Sequence, residues 1–218
     1  MQLFGHPFSS YTWKALIPLY ENETPFEFRE LGPDYADNGA ELARRWPVAK
    51  FPLLTDGDET VMETTSIVEY LDAVHPGATR FIPDDAAVAR EVRMLDRIFD
   101  NYMMGPMQAV VGEHLPFITE RPDLARVARA RGALDTIYTW LDARMAGREW
   151  AVGDGFTLAD CAAAPSLFYA DWVHPNDGRF PHLSAYRARL LARPSVARCV
   201  NEARPYRSIF PLGAPDRD

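Results

Sequence analysis

The stretch "FPLLTDGDETVMETTSIVEYLDAVHPG", residues 51 to 77, contains the pattern that decides the fold. Two short apolar runs flank "DGD" at 56 to 58, and the Asp-Gly pair is a strong hairpin signal because glycine adopts a positive φ without steric cost. A helical pattern then begins at Ile67 and continues through Leu71, until "HPG" at 75 to 77 stops it. The stretch therefore predicts a β-hairpin followed directly by a helix.

The residues upstream of this stretch alternate between strand and helix patterns. "MQLFG" at 1 to 5 is typical of a short strand, and "PFEFREL" at 25 to 31 also has strand-like alternation. Between them, residues 11 to 21 carry one apolar helical stripe, formed by Trp13, Leu16, Ile17 and Tyr20. Pro18 disfavours a straight helix there because it lacks a backbone donor. Residues 36 to 46 predict a short helix or an irregular connection, and the whole order favours a mixed sheet covered by helices.

Downstream of a linker at 75 to 85, marked by proline and aspartate, the pattern becomes helical only. Apolar residues recur every three or four positions in two long runs, Val88, Val92, Leu95, Phe99 and Tyr102, and then Leu124, Val127, Leu134, Ile137, Leu141 and Met145. Thr157 and Asp160 have the spacing of a capping box, which predicts another helix start with Asp160 as a folding determinant. Two more helices, joined at Arg193-Pro194, complete the pattern.

The composition predicts a folded protein that does not bind nucleic acid. With 218 residues, 47% of them hydrophobic, the chain can bury the core of one large domain or of two modest ones. Its formal net charge of -8 argues against nucleic acid as a general partner, because phosphate binding depends on clustered Lys and Arg. The sequence shows neither an apolar run long enough to span a membrane nor a signal-peptide pattern. We therefore expect a cytoplasmic location and no membrane partner.

Cysteine and histidine patterns argue against several types of site. Cys161 and Cys199 form neither a C-x-x-C redox pair nor a zinc cluster, which fits a reducing compartment. Cys161 is predicted to be a core residue. The five histidines lack metal-ligand spacing, and no G-x-S-x-G signature occurs. No metal site is therefore expected.

Five stretches follow one another along the chain, "SSYTWKAL" (9–16), "KFPLL" (50–54), "ETTSIVEYL" (63–71), "GDGFTLADCAAAP" (153–165) and "FPHLSAYRARLLARPSV" (180–196). Each is weak alone, but together and in this order they resemble the glutathione transferase superfamily. The resemblance implies an α/β plus all-α fold. A thioredoxin-like, glutathione-binding domain is expected at 1–77 and an all-helical domain at 85–218.

The first stretch resembles that of the serine-type members of the family, including those called zeta. In such proteins the sulfur of glutathione lies at the start of the first helix, and the matching serine here is Ser9, with Ser10 or Tyr11 as an alternative donor or a supporting contact. A serine hydroxyl donating to the sulfur anion contributes on the order of 1.5–3 kcal/mol, and the helix N-terminus contributes about 0.3–1 kcal/mol more. Together they lower a thiol pKa from about 8.5 by roughly one to three units. N-capping by these serines is the alternative interpretation.

Two further stretches imply contacts with the rest of glutathione. The resemblance implies a cis peptide bond before Pro52 and backbone contacts from Phe51 to the cysteinyl part of the cofactor, whereas a plain strand-edge proline is the alternative. It also implies that Thr64 and the neighbouring helix amides hold the γ-glutamyl carboxylate, while Glu63 pairs with the α-ammonium. From the residues alone, Thr64 to Ser66 are only candidates for a helix N-cap.

The resemblance places a second-substrate pocket between the two domains, near the first-helix loop and the fourth helix. This location points to an apolar pocket that includes Phe8, Tyr11, Met103, Met107 and Trp172.

The function implied is that of a homodimeric glutathione transferase acting on a small apolar electrophile. Conjugation in detoxification, dehalogenation and glutathione-assisted cis/trans isomerisation use the same thiolate, and the zeta-like "SSYTW" favours isomerisation. Thiol-disulfide exchange is disfavoured because positions 9 to 12 contain no cysteine. The alternative is a non-catalytic member of the fold that binds apolar ligands or a protein partner, which Tyr11 and Pro18 leave open.

Overall fold

The computed structural model describes residues 1–218, and its first part contains one mixed four-stranded sheet. The strands are β1 (Gln2–Gly5), β2 (Glu27–Glu30), β3 (Leu53–Asp56) and β4 (Glu59–Met62). Their order across the sheet is β2-β1-β3-β4, with β2 parallel to β1 and with β3 antiparallel to β1 and β4. β3 and β4 form the predicted hairpin, and Gly57 in its turn has a φ of 56°. The predicted mixed sheet is therefore confirmed.

Three helices cover this sheet, α1 (Ser10–Glu21), α2 (Ala36–Arg45) and α3 (Thr64–Val74). Side chains alternate between the two faces of the sheet, as the strand period of two requires. Leu3 and Leu54 belong to the large core that includes α1 and α3, whereas Phe4 and Leu53 pack with Leu42 of α2. Residues 36 to 46, for which two interpretations were open, are helical over most of their length.

The second part of the chain is helical, as predicted. Its helices are α4 (Ala86–Ile98), α5 (Gly105–Gly112), α6 (Leu124–Met145), α7 (Leu158–Val173), α8 (Pro181–Ala192) and α9 (Pro194–Ala203). A π-helix at Phe99–Met104 joins α4 to α5, and a 3-10 helix at Arg204–Ile209 follows α9. No helix combines the length and the apolar character that crossing a membrane would require.

The π-helix changes the phase of the apolar stripe predicted for the first long run. Val92, Leu95 and Phe99 are buried as predicted, but Tyr102 is 61% exposed and Met103 is fully buried. A π-turn contains more residues than an α-turn, so the side chains that follow it are rotated around the helix axis. The placement of Tyr102 in the buried stripe is therefore wrong.

Helix α1 lies at the centre of the molecule and connects its two parts. It packs against α3 on one side and against α7 and α9 on the other. Its residues from Thr12 to Leu19 are all buried, which is the pattern of a helix enclosed by other elements. The helix continues through Pro18 to Glu21, as the helical pattern over residues 11 to 21 predicts. Packing on both sides outweighs the cost of a proline in a helix interior, about 3 kcal/mol.

Asp160 joins the start of α7 to two other segments. Its Oδ2 accepts hydrogen bonds from the backbone N–H of Thr157, at 2.9 Å, and from the Thr157 hydroxyl, at 3.0 Å. Its Oδ1 accepts from the N–H of Ala151, at 2.9 Å, and from the hydroxyl of Tyr186, at 2.6 Å. The predicted capping box is confirmed, and Cys161 beside it is a fully buried core residue, as predicted.

Candidate active site

Two cavities lie side by side between the sheet-containing part and the helical part. The first, called the polar cavity, has a volume of about 250 Å³ and is lined by Tyr11, Trp46, Lys50, Phe51, Pro52, Met62, Glu63, Thr64, Arg97, Asp100, Asn101 and Gln108. The second, called the apolar cavity, has a volume of about 260 Å³ and is lined by Phe8, Ser9, Ser10, Met107, Gln108, Val111, Leu115, Tyr169, Ile209, Phe210 and Pro211. Because Gln108 lines both, the two cavities adjoin.

The start of α3 forms one wall of the polar cavity. Glu63 immediately precedes the helix and has a φ of 67°, a value that residues with a side chain rarely adopt. Its side chain makes no capping hydrogen bond to the first turn, and Thr64, the first helical residue, is buried. The free first-turn N–H groups and the positive end of the helix dipole favour an anion at this end of the cavity.

A second wall of the polar cavity comes from the segment before β3. The peptide bond between Phe51 and Pro52 is cis, which confirms the geometry that the family resemblance implied. Lys50 and Trp46 line the same cavity but were not identified from the sequence. Lys50 directly precedes Phe51 and Pro52, so its position next to this motif could have identified it. Nothing in the sequence pattern distinguishes Trp46.

Ser9 lies at the N-terminus of α1 and caps it. Its Oγ accepts a hydrogen bond from the N–H of Thr12 at 3.3 Å, so the capping interpretation describes a contact that is present. Accepting this bond leaves the hydroxyl proton of Ser9 available for donation. Both Ser9 and Ser10 line the apolar cavity, whereas the next residue, Tyr11, lines the polar cavity.

The loop that carries Ser9 is held in place by contacts from both parts of the molecule. The indole Nε1 of Trp13 donates to the carbonyl oxygen of Pro7 at 2.6 Å, and the hydroxyl of Tyr169 donates to the carbonyl oxygen of Phe8 at 2.9 Å. Gly5, at the end of β1, permits the close approach of α1, since a Cβ there would lie 2.6 Å from the Thr12 methyl carbon. The position of the Ser9 hydroxyl is therefore well defined.

Tyr11 lies on the polar side of the junction rather than in the apolar cavity. Burial, assisted by the negative charge of Asp100, raises the pKa of its phenol to about 12. The phenol therefore stays protonated near neutral pH, where it can donate a hydrogen bond but cannot act as a general base.

The apolar cavity contains two of the five residues predicted for it. Phe8 and Met107 line it, Tyr11 lies in the polar cavity, and Met103 is fully buried and lines neither. Trp172 is buried behind Phe8, at a centroid distance of 6.2 Å. One wall consists of Ile209, the last residue of the 3-10 helix, and the two residues after it, none of which was identified from the sequence.

The helical wall of the polar cavity carries opposite charges. Arg97 lies in the last turn of α4, while Asp100 and Asn101 belong to the π-helix. Burial raises the pKa of Asp100, although the ammonium of Lys14 lies only 2.7 Å from its Oδ2 and opposes the shift. The sequence signal for this wall was the presence of acidic residues beside Phe99 in an otherwise apolar stripe.

Comparison with known proteins agrees with this geometry. The family described as glutathione S-transferase, N-terminal domain, matches residues 3–79, and the corresponding C-terminal domain family matches residues 98–194. The chain is 30% identical to the glutathione S-transferase-like protein LUC7 of a Fusarium species, over 72% of each protein. It is 27% identical to a Vibrio cholerae protein named "Probable maleylacetoacetate isomerase", over 93% of this chain and 96% of that protein.

A solved structure shows the same arrangement. It is a glutathione S-transferase from Methylobacterium radiotolerans in complex with glutathione sulfonate. It is 27% identical to this chain, covers 91% of it and 93% of its own length, and superposes with a TM-score of 0.76. The chain therefore belongs to the glutathione S-transferase family.

Proposed function

We propose that this transferase binds glutathione in the polar cavity and activates its thiol as a thiolate for attack on a small apolar electrophile in the apolar cavity. One observation carries the proposal. The two cavities adjoin at Gln108, and Ser9, which lines the apolar cavity, lies at the positive end of α1, two residues before Tyr11 in the wall of the polar cavity.

The polar cavity offers groups that complement the ends of glutathione. The first turn of α3 and the Thr64 hydroxyl bind the γ-glutamyl carboxylate, and Glu63 pairs with the neighbouring ammonium. Lys50 supplies a cation for the second carboxylate, at the glycyl end. The backbone of Phe51 pairs with the cysteinyl part between these two ends.

The sulfur then lies at the junction of the cavities, where Ser9 donates to it. A serine cannot keep the thiol proton, which passes to solvent, so the hydroxyl acts by stabilising the anion that remains. The thiolate is the nucleophile. Ser10 and Tyr11 lie close enough in sequence to serve as alternative donors, and both are protonated donors near neutral pH.

Substitution at these three positions identifies the donor. Ser9→Ala is expected to raise the pKa of the bound thiol by roughly one to two units and to lower the turnover number at neutral pH accordingly. Ser10→Ala and Tyr11→Phe are the matched controls, since each removes one hydroxyl and little else. Spectroscopic titration of the thiolate in each variant gives the measurement. An unchanged thiol pKa in Ser9→Ala would remove Ser9 from the mechanism.

We further propose that the protein acts in the cytoplasm as a homodimer, with domain boundaries at 1–77 and 85–218. Exposed apolar side chains on α3, on α4 and on the π-helix support a surface for a second copy. They are Val74, Met94 and Tyr102.

A further inference from the structure

A cluster of charged side chains lies directly beneath the polar cavity. The charged members are Lys14 of α1, Asp96 and Arg97 of α4, and Asp100 of the π-helix. The hydroxyl of Thr65, in α3, completes the cluster. Lys14 and Asp96 are completely buried, and Asp100 is 9% exposed. Burying a charge is costly unless it is paired and hydrogen-bonded, so this arrangement requires an explanation.

The Lys14 ammonium donates hydrogen bonds to Asp100 Oδ2 and Thr65 Oγ1 and forms an ion pair with Asp96 Oδ1. The Nζ atom lies 2.5 Å from Asp96 Oδ1, 2.7 Å from Asp100 Oδ2 and 3.2 Å from Thr65 Oγ1. These three oxygen atoms belong to three different elements of the fold, namely α4, the π-helix and α3. A single side chain of α1 thus joins α1 to α3 and to the segment formed by α4 and the π-helix.

Arg97 and Asp100 line the polar cavity, and Thr65 links the cluster to the start of α3. The Thr65 hydroxyl donates to Asp96 Oδ2 at 2.8 Å while it accepts from Lys14, and Arg97 also contacts it. Thr65 directly follows Thr64 in the first turn of α3. The turn proposed to hold the γ-glutamyl carboxylate is therefore attached, through one hydroxyl, to the buried cluster.

We propose that Lys14 is a positioning residue for glutathione. Its ammonium fixes the first turn of α3 relative to α1, and so it sets the span between the γ-glutamyl end of the polar cavity and the Ser9 hydroxyl. The inference rests on the proposed glutathione site. Lys14 itself lines neither cavity, so its effect passes through the residues it contacts, namely Thr65 next to Thr64 and Asp100 in the wall of the polar cavity.

The fold contains a matched control for a purely structural role. At the far end of α1, Glu21 forms a two-pronged ion pair with Arg193, with distances of 2.8 and 2.6 Å. The Glu21 side chain is 9% exposed, and this pair likewise joins α1 to the helical part. Neither residue lines either cavity. Loss of this pair therefore removes a comparable link without disturbing the first turn of α3.

The experiment measures glutathione affinity by calorimetry in Thr65→Val, Lys14→Met and Arg193→Met, together with the thiol pKa and the melting temperature. Thr65→Val keeps the shape of the side chain and removes the hydroxyl, and it should raise the dissociation constant roughly three- to ten-fold. Lys14→Met should raise it by at least about ten-fold and lower the melting temperature. In both, the pKa of the bound thiol should rise toward its usual value of about 8.5, because the changed span moves the sulfur away from the Ser9 hydroxyl.

Arg193→Met should lower the melting temperature but leave the dissociation constant within about two-fold of wild type. Equal weakening of glutathione binding in Arg193→Met and Lys14→Met would overturn the proposal, since a general loss of stability would then explain both. Unchanged affinity in Thr65→Val would also overturn it, and this variant decides the matter if Lys14→Met does not fold. If either result is obtained while the wild-type protein binds glutathione, the proposed function stands and only the role of Lys14 is refuted. A wild-type protein that does not bind glutathione would refute the proposed function itself.

Discussion

At the scale of single residues, Ser9 shows that capping and thiolate stabilisation are compatible. The cap uses a lone pair of the Ser9 oxygen, which accepts from the N–H of Thr12, while the proposed donation to sulfur uses its proton. The cap also fixes the rotamer of the side chain before any ligand binds. A preorganised donor loses less conformational entropy when the ligand arrives.

Thr64 carries the residue-scale prediction for cofactor binding. Thr64→Ala removes a buried hydroxyl beside the uncapped start of α3 and should raise the dissociation constant for glutathione roughly ten-fold, as expected for loss of a hydrogen bond to a charged group. Isothermal titration calorimetry gives the constant directly. Ser66→Ala, on the exposed side of the same turn, is the control. An affinity in Thr64→Ala equal to that of wild type would contradict the placement of the γ-glutamyl carboxylate.

At the scale of secondary-structure elements, α7 depends on Asp160 for its start. Asp160→Ala leaves four hydrogen-bond donors without their acceptor in the core, and it should lower the free energy of unfolding by about 3–5 kcal/mol. Thr157→Val removes one hydroxyl from the same capping box and should cost about 0.5–2 kcal/mol. Urea unfolding followed by circular dichroism measures both. Similar midpoints for the two variants would show that Asp160 is not the folding determinant.

The elements also show which features of this fold a sequence can reveal. The hairpin and the capping box follow from local chemistry, namely an Asp-Gly turn and a Thr-Asp pair at fixed spacing, and both were predicted. The π-helix at Phe99–Met104 was not, because nothing in the spacing of apolar residues signals an extra residue in a turn. The apolar stripe predicted a helix over residues 11 to 21, but its continuation through Pro18 depends on tertiary packing from both sides, which local propensity does not contain.

The residues of the candidate site likewise fall into those that short motifs reveal and those that only packing brings to the site. Glu63, Thr64, Phe51 and Pro52 lie in short motifs, and all four line the polar cavity. Residues 209 to 211, by contrast, reach the apolar cavity from the far end of the chain and carry no pattern of their own. Their position results from how the C-terminal segment packs on Phe8 and Trp172, as in the contact between Phe210 and Trp172 at a centroid distance of 5.1 Å.

At the scale of the whole molecule, the two cavities differ in charge, and this difference predicts the class of the second substrate. The residues that line the apolar cavity include no Lys, Arg or His. An electrophile with a carboxylate would lose its hydration there without gaining a cationic partner. A chlorodinitrobenzene should therefore be turned over at least about ten-fold more efficiently than the corresponding chlorodinitrobenzoate, which differs from it by one carboxylate.

Steady-state kinetics with this substrate pair gives the comparison as a ratio of kcat/KM values. Val111→Lys places a cation in the apolar cavity. It should lower the ratio of kcat/KM for the uncharged substrate to kcat/KM for the carboxylate, because the lysine can pair with the carboxylate. Equal efficiency for both substrates in the wild-type protein would show that the second substrate binds elsewhere. Turnover of neither would leave electrophiles for isomerisation or dehalogenation as the next class to test.

The measurement that tests the central claim most directly is a titration of glutathione bound to the wild-type protein, followed by thiolate absorbance from about pH 6 to pH 9. The thiol pKa should lie roughly one to three units below its usual value of about 8.5, since Ser9 and the start of α1 stabilise the anion. Tyr11 does not interfere, because its pKa is raised to about 12 and its phenol stays protonated throughout this range. Glutathione that binds with an unshifted thiol pKa would contradict the claim that this site makes the thiolate.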